Sequence, residues 1–405
     1  MTYPPRPDTA TRIHRRHLLL AMMGTAFQLS GCGSGDLVSG LSTGGTGSFT
    51  VGPVSGFGSV IVNGIRYDDR NAQLARLDDP DASAITALKL GMVVTVQGSA
   101  VSGNIALGTA TATADRIHCR SEWRGPVDGV GASSFTLLGQ TVRVSAATVF
   151  EGEAVTQLSE LRAGLQAEIY GYLDPATATL QATRVELSAA QPRSYLVSGR
   201  VGSLSGSESS IGNLPIRLGS NVTTTAQEGS LVRVWLSTSP DNGRWMATRI
   251  VSDETLLTEL EIGDDDAAEL EGSVTAWRSA TSFSVNGIPI DASQVAGVAS
   301  LGLTMGSVLE VKGRVSRGMV IASEIQLHGS DEIESQEFEL HGLVEQLDTV
   351  AKTFVLRGYA LHYDDASRFD LEGFNWTNGL RVEAKAIQQQ GRLHATHIES
   401  ENDEI

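Results

Sequence analysis

The sequence predicts an all-β protein: a tandem array of five small five-stranded β-barrels behind an export signal and a flexible tether. Three observations predict it. A Gly-x-Val step recurs at Gly52/Val54, Gly125/Val127, Gly199/Val201, Gly272/Val274 and Gly342/Val344, at spacings of 73, 74, 73 and 70 residues; a fixed period of that length marks tandem modules. Gly is abundant, 44 of 405 residues, and aromatics are scarce at 5%, a mix that suits short strands joined by tight turns. Hydrophobic content of 41% supplies packed cores and excludes wholesale disorder.

The N-terminal segment reads as an address. Arg6, Arg12, Arg15 and Arg16 form a basic region, and an apolar run from Leu18 to Leu29 follows. The run is too short to span a bilayer and fits a signal peptide. It ends in Leu29-Ser30-Gly31-Cys32, similar to a bacterial lipobox, whose small residues admit the signal peptidase and whose Cys takes the lipid. Arg15-Arg16 also suits a twin-arginine signal, although Leu18 and Leu20 depart from that pattern; an ordinary secretory signal fits equally. Removing 1–31 takes four Arg and one Asp and carries the net charge from −17 to −20. Gly33 is not the Asp that retains some lipoproteins at the inner membrane, so outer-membrane delivery is expected. Residues 32–48 are Gly/Ser/Thr-rich and read as a tether. Gly40-Leu41-Ser42-Thr43-Gly44 within them mimics a nucleophile elbow, but lacks the strand and helix that motif needs.

The modules span 49–121, 122–194, 195–266, 267–335 and 336–405. In each, the Gly-x-Val strand is followed by a hairpin, best seen in Val60-Ile61-Val62-Asn63-Gly64-Ile65 and Phe283-Ser284-Val285-Asn286-Gly287-Ile288. Asn-Gly between alternating apolar residues is a type I′ turn signal. A less regular stretch comes next, with some helical spacing at Val155, Leu158 and Leu161. It stops at Gly91, Gly164, Gly229, Gly306 and Gly379, where Gly suits a short helix's end. A fourth strand such as Val94-x-Val96-x-Gly98 follows, then a last strand carrying Ala114/Ile117, Ala182/Val185, Ala247/Ile250, Ala322/Ile325 and Ala395/Ile398. A flat sheet of such strands would leave open edges, which closure into a barrel removes. The order matches the oligomer-binding (OB) barrel, with an SH3-like or cradle-loop barrel as the alternative.

These elements together — the Gly-x-Val opening, the Gly58-to-Gly64 hairpin, the Gly-x-x-Val-x-Val-x-Gly strand and the Ala-x-x-Ile close — resemble the domain of unknown function 5666 family over residues 49–399. Copies one and four fit best; copy three has Gly212-Asn213 in place of Asn-Gly. The resemblance implies secreted bacterial small-barrel modules and supplies no catalytic residue.

Candidate sites are few. His394 and His397 on one strand face opposite sides, and with His341 and His362 they read as surface histidines. Asp264-Asp265-Asp266 sits in an acidic run, 252–277, with nine carboxylates and no Lys or Arg, but lacks the spacing of a calcium loop and reads as a solvated junction. Cys119 reads as an inert thiol. Trp123, Trp235, Trp245, Trp277 and Trp376 are assigned to barrel core rather than to sugar platforms. No catalytic residue, metal site or cofactor motif is expected. The acidic balance argues against nucleic acid, which demands a basic face. The expected function is that of a non-catalytic envelope lipoprotein, anchored to membrane through Cys32, that binds an envelope protein or glycan or acts as a spacer. The alternative is a hydrolase-like or carbohydrate-active envelope enzyme with its site at a module junction.

Overall fold

Apolar residues alternating with polar ones around each Gly-x-Val step form a strand, and the five steps open five barrels. The computed structural model describes residues 47–76, 85, 87–152, 155–252, 260, 263–329 and 336–401. The export signal, with Arg15, Arg16, Leu29, Ser30, Gly31 and Cys32, lies outside the described residues, as do 33–46 of the tether. The first strand begins at Gly47, inside the expected tether.

Barrel 1 shows the plan. The opening strand Gly47–Phe57 pairs antiparallel with Val60–Val62, which pairs with Ile65–Asp68. That third strand runs parallel to the closing strand Thr111–Cys119. The closing strand pairs antiparallel with the fourth, Val93–Ser99, which returns antiparallel to the opening strand. The ring 1-2-3-5-4-1 with one parallel pair is the OB topology. It recurs in barrel 2, barrel 4 and barrel 5. Barrel 3 closes the same way, its first contact reduced to a bridge between Val201 and Ile211.

The repeated residues lock one another. The Val of each Gly-x-Val step exchanges two backbone hydrogen bonds with the Gly-led turn before the fourth strand. Gly91, Gly164, Gly229, Gly306 and Gly379 donate to Val54, Val127, Val201, Val274 and Val344 at 2.8–2.9 Å, and each Val N–H donates back to the residue after its Gly. These glycines, with φ from 78° to 88°, are therefore turn residues that close the barrel and not helix stops. Among the described residues there is no α-helix. The stretch around Leu158 holds one 3₁₀ turn, Leu158–Glu160.

The Gly of the step leaves room for the hairpin. A Cβ on Gly52 would lie 2.1 Å from Asn63 Oδ1, and one on Gly272 2.1 Å from Asn286 Nδ2. Asn63 donates to the Val51 carbonyl (2.9 Å), Asn286 to that of Glu271 (3.2 Å), and the Ser273 N–H donates to Asn286 Oδ1 (3.1 Å). The same turn position carries Leu138 over Gly125 and Arg357 over Gly342, each at φ 49° like the two Asn. A third lock is a bulge in every closing strand, just after the repeated Ala: Ala114 faces Gly98, Ala182 Gly171, Ala247 Leu236, Ala322 Gly313 and Ala395 Ala386, and the next closing-strand residue is left unpaired.

The barrels form a cluster, not a string. The opening strand of barrel 1 is longer than its barrel needs. Its residues 48–51 lie beyond the hairpin pairing, and that free edge takes Ala267–Leu270 of barrel 4 in parallel. Residues 56 and 57 lie beyond the fourth-strand pairing and take Glu339 and Leu340 of barrel 5. Barrels 2 and 3 join through their opening strands, Trp123 beside Val197. A strand edge left unpaired is a template for another strand, and here the neighbours supply it. Consequently the apolar cores of barrels 1 and 5 merge, those of 2 and 3 merge, and barrel 4 absorbs Phe49 and Val51 from barrel 1.

Candidate functional site

Residues inside a barrel alternate with residues that face its neighbours, so outward positions of the opening strands line the seams. There the chain buries charge. Arg184 is fully buried between barrels 1 and 2, bonded to Glu151, to Glu186 (3.3 Å) and to the Leu90 carbonyl (3.1 Å). Arg233, 1% exposed, lies 3.6 Å from Glu122 in the seam of barrels 2 and 3. Burial works to raise the Glu122 carboxyl; Arg120 at 2.9 Å and Arg233 outweigh it and hold the group below its ordinary value. In the seam of barrels 1 and 4, burial drives Glu269 up to about 9.

The place where four barrels meet is open. A cavity of about 230 Å³ is lined by Pro53 and Gly91 of barrel 1, Tyr172, Gln181 and Thr183 of barrel 2, Glu271, Gln326 and His328 of barrel 4, and Gln336 and Phe338 of barrel 5. Tyr172 donates its hydroxyl to Glu271 Oε1, and His328 Nδ1 stands 3.8 Å from the same oxygen. Burial raises the Glu271 carboxyl, and raises the Tyr172 hydroxyl with the help of Glu271 beside it. The Gln181 amide nitrogen is buried here without a hydrogen-bond partner. The cavity therefore offers an acceptor at Glu271 and a free donor at Gln181 to a small polar guest, while the Tyr172 hydroxyl is committed.

A second cluster lies in the seam of barrels 1 and 5. Glu339, His341 and Glu383 bring one ligand atom each within 4.8 Å. Arg66 of barrel 1 fills the centre, 2.6 Å from Glu339 Oε1 and 3.0 Å from His341 Nε2. Glu401 takes His341 Nδ1 at 2.5 Å. Burial would lower the imidazole's pKa, but hydrogen bonds donated to Glu339 and Glu401 raise it to about 9. A guanidinium already stands where a metal ion would, so the cluster is an ion-pair clasp between barrels.

The residues singled out from sequence fall as follows. His341 is 7% exposed in this clasp, not a surface group. His394 and His397 lie on the same outer face, not on opposite ones, because the bulge between Ala395 and His397 shifts the alternation so that Leu393, Ala395 and Ile398 all enter the core; His394 also pairs in register with His362 on the parallel neighbouring strand. Asp264 accepts the Arg317 N–H (2.7 Å) and Asp266 that of Gly263 (3.1 Å), so these acids serve the turn into barrel 4. Cys119 is buried, and burial pushes its thiol up to about 12. Trp123 is core and donates to the Ser198 carbonyl at 2.9 Å. Trp235 is buried but outside the barrel core, with Arg249 over its ring. Trp376 packs among Phe354, Tyr363 and Phe369, Trp245 lies edge-on to Tyr195, and Trp277, 38% exposed, departs from the core assignment. Sequence reasoning missed Tyr172, Gln181, Glu271 and His328. One signal was available: Glu271 directly precedes a repeated Gly, where the other copies carry Val51, Arg124, Ser198 and His341.

Residues 124–186, 271–326 and 341–399 match a family described as a domain of unknown function (DUF5666). The matches fall on copies two, four and five; copies one and three lie outside them, though all five share one topology. No curated protein matches the chain. Among solved structures, "drosophila Unr CSD456" is 14% identical, covers 53% of this chain and 100% of its own, and has a TM-score of 0.14.

Proposed function

From a chain built of repeated domain of unknown function 5666 modules, we propose a non-catalytic cell-envelope lipoprotein whose clustered barrels hold a small polar ligand where four of them meet. The observation that carries this reading is the division of labour among residues. Those common to the five copies, the Gly-x-Val step, the hairpin turn, the bulge and the Ala, are all engaged in building barrels. The polar side chains that line the cavity, Tyr172, Gln181, Glu271, Gln326 and His328, are not among those repeated residues. A cavity of about 230 Å³ is smaller than the ~300–1,000 Å³ of drug-sized sites, which suits a ligand the size of a single sugar unit or a small amine. Export and anchoring rest on the lipobox-like Leu29-Ser30-Gly31-Cys32; several acyl chains on Cys32 would hold the chain at the membrane, since each buried CH₂ contributes about 0.8 kcal/mol.

Two measurements test the parts separately. Cys32→Ala should abolish acylation, read by mass spectrometry, and release the protein from the membrane fraction; an unmodified Cys32 in wild type sinks the anchor. Native mass spectrometry of gently isolated protein should show a small adduct in wild type that Glu271→Ala and Gln181→Ala lose. Conversion of the bound molecule in solution, instead of its retention, would turn the reading toward an enzyme.

A further inference from the structure

Barrel 5 holds four of the eight histidines. The strands Tyr359–His362 and Arg392–Ser400 run parallel, with Leu361 beside Leu393 and His362 beside His394. Neighbouring strands lie about 4.8 Å apart, and residues in register project from the same face, so the two imidazoles stand side by side. Both line a cleft of about 440 Å³ between barrels 5 and 2, whose other walls include Gln157, Glu160, Gln389 and Arg392. Asp364 reaches over from beyond the third strand, its Oδ2 3.6 Å from His394 Nε2.

We propose that His362 and His394, with Asp364 as a third ligand, bind a divalent transition-metal ion on the open side of barrel 5. Adjacent imidazoles with one carboxylate suit Zn²⁺, Ni²⁺ or Cu²⁺, and are too few and too nitrogen-rich for Ca²⁺ or Mg²⁺. The cleft leaves the remaining coordination positions to water. The Arg66 clasp makes the contrast: its carboxylates and His341 are closer together, but the Arg66 guanidinium occupies their centre, whereas the His362–His394 cleft is open. Arg392 stands on the wall of the same cleft and repels the ion that arrives.

The test is titration of the untagged chain with Zn²⁺ by calorimetry, with Cu²⁺ absorption spectra as a report on imidazole ligation. Wild type should bind one ion. His362→Asn and His394→Asn should each weaken it at least tenfold, Asp364→Asn by less, and Arg392→Gln should tighten it. His397→Asn and His341→Asn should leave the affinity unchanged. In wild type, Zn²⁺ should protect His362 and His394 from diethyl pyrocarbonate, read by peptide mass spectrometry, a measurement that needs no variant to fold. Unchanged affinity in the His362→Asn/His394→Asn double variant overturns the proposal, as does protection of His341 or His397 in their place, or Mg²⁺ competing at equal concentration.

Discussion

Gly272→Ala is a one-carbon change with a large consequence, because the repeat's two signatures share a space. The new Cβ would lie 2.1 Å from Asn286 Nδ2 and 2.4 Å from its Oδ1, so the amide must swing out of its pocket. It then loses its bond to the Glu271 carbonyl and abandons the Ser273 N–H. Each net hydrogen bond is worth about 1 kcal/mol, and a buried amide left unsatisfied adds about 1–3 kcal/mol, so barrel 4 should lose roughly 3–4 kcal/mol. Asn286→Gly deletes the same bonds while keeping the φ of 49° easy; it should cost roughly 2 kcal/mol. In the Asn286→Gly background nothing remains for the Cβ to strike, and Gly272→Ala should then cost under about 0.5 kcal/mol. The coupling is therefore on the order of 3 kcal/mol, within the range of contacting pairs. Hydrogen exchange of peptides from strands 267–279 and 282–291 reads the local opening free energy without requiring the whole chain to unfold in one step. Additive effects of the two substitutions would refute the claim that the Gly exists to house the Asn.

The seams should loosen in alkali. His341 is raised from 6.5 to about 9 and Glu269 from 4.5 to about 9; a raised folded pKa gives stability that is full below the ordinary value and lost as pH rises through the folded one. Melting temperature should fall from about pH 4.5, more steeply from 6.5 where His341 joins Glu269, and level off above about 9; Glu269→Gln with His341→Asn should flatten that slope, and an equally steep slope in the double variant defeats the assignment. Glu122→Ala should destabilise the seam of barrels 2 and 3 by about 3–5 kcal/mol because it removes the carboxylate that pairs with buried Arg233, whereas Arg233→Met with Glu122→Gln should cost far less in chemical denaturation. Cys119 should resist iodoacetamide at pH 8 in the native protein and react fully in guanidinium; fast native alkylation would contradict its burial. Proteolysis at the exposed 189–193 link should give fragments that separate only under denaturing conditions, because strand pairing and the buried Arg233–Glu122 ion pair span the cut; native separation would mean a string of independent barrels.

What the sequence revealed was local and periodic. Alternation and turn chemistry act between neighbours in the chain, so Asn63-Gly64 and Asn286-Gly287 announced their hairpins, and the recurring Gly, Val and Ala announced the module. Closure of the ring was legible only as the avoidance of edges. The bonds that achieve it join Val54 to Gly91 and Val274 to Gly306 across more than thirty residues. Gly91 was read as a helix stop because a Gly that ends an apolar spacing looks the same whether the backbone before it is helical or extended; the partner carbonyl decides, and it lies on another strand.

The seams were illegible for a different reason. Barrels 1 and 4 are joined by Val51 beside Leu270, and barrels 2 and 4 by Ser273 donating to the Leu173 carbonyl at 2.6 Å. Nothing periodic marks such pairs, because the outward positions are those at which the five copies have diverged. A module repeated without change would present the same outer face five times and could stack only as a filament or a string. Divergence at Val51, Arg124, Ser198, Glu271 and His341 gives each barrel a different neighbour, Arg66 for His341 and Tyr172 for Glu271, and so turns a linear repeat into a closed cluster. One of these residues, Glu271, also lines the central cavity. A single change at Glu271 thus bears on assembly and on binding together, and the two separate experimentally: Glu271→Gln keeps an acceptor for the Tyr172 hydroxyl and should preserve the seam, while it removes the charge that a cationic guest would require.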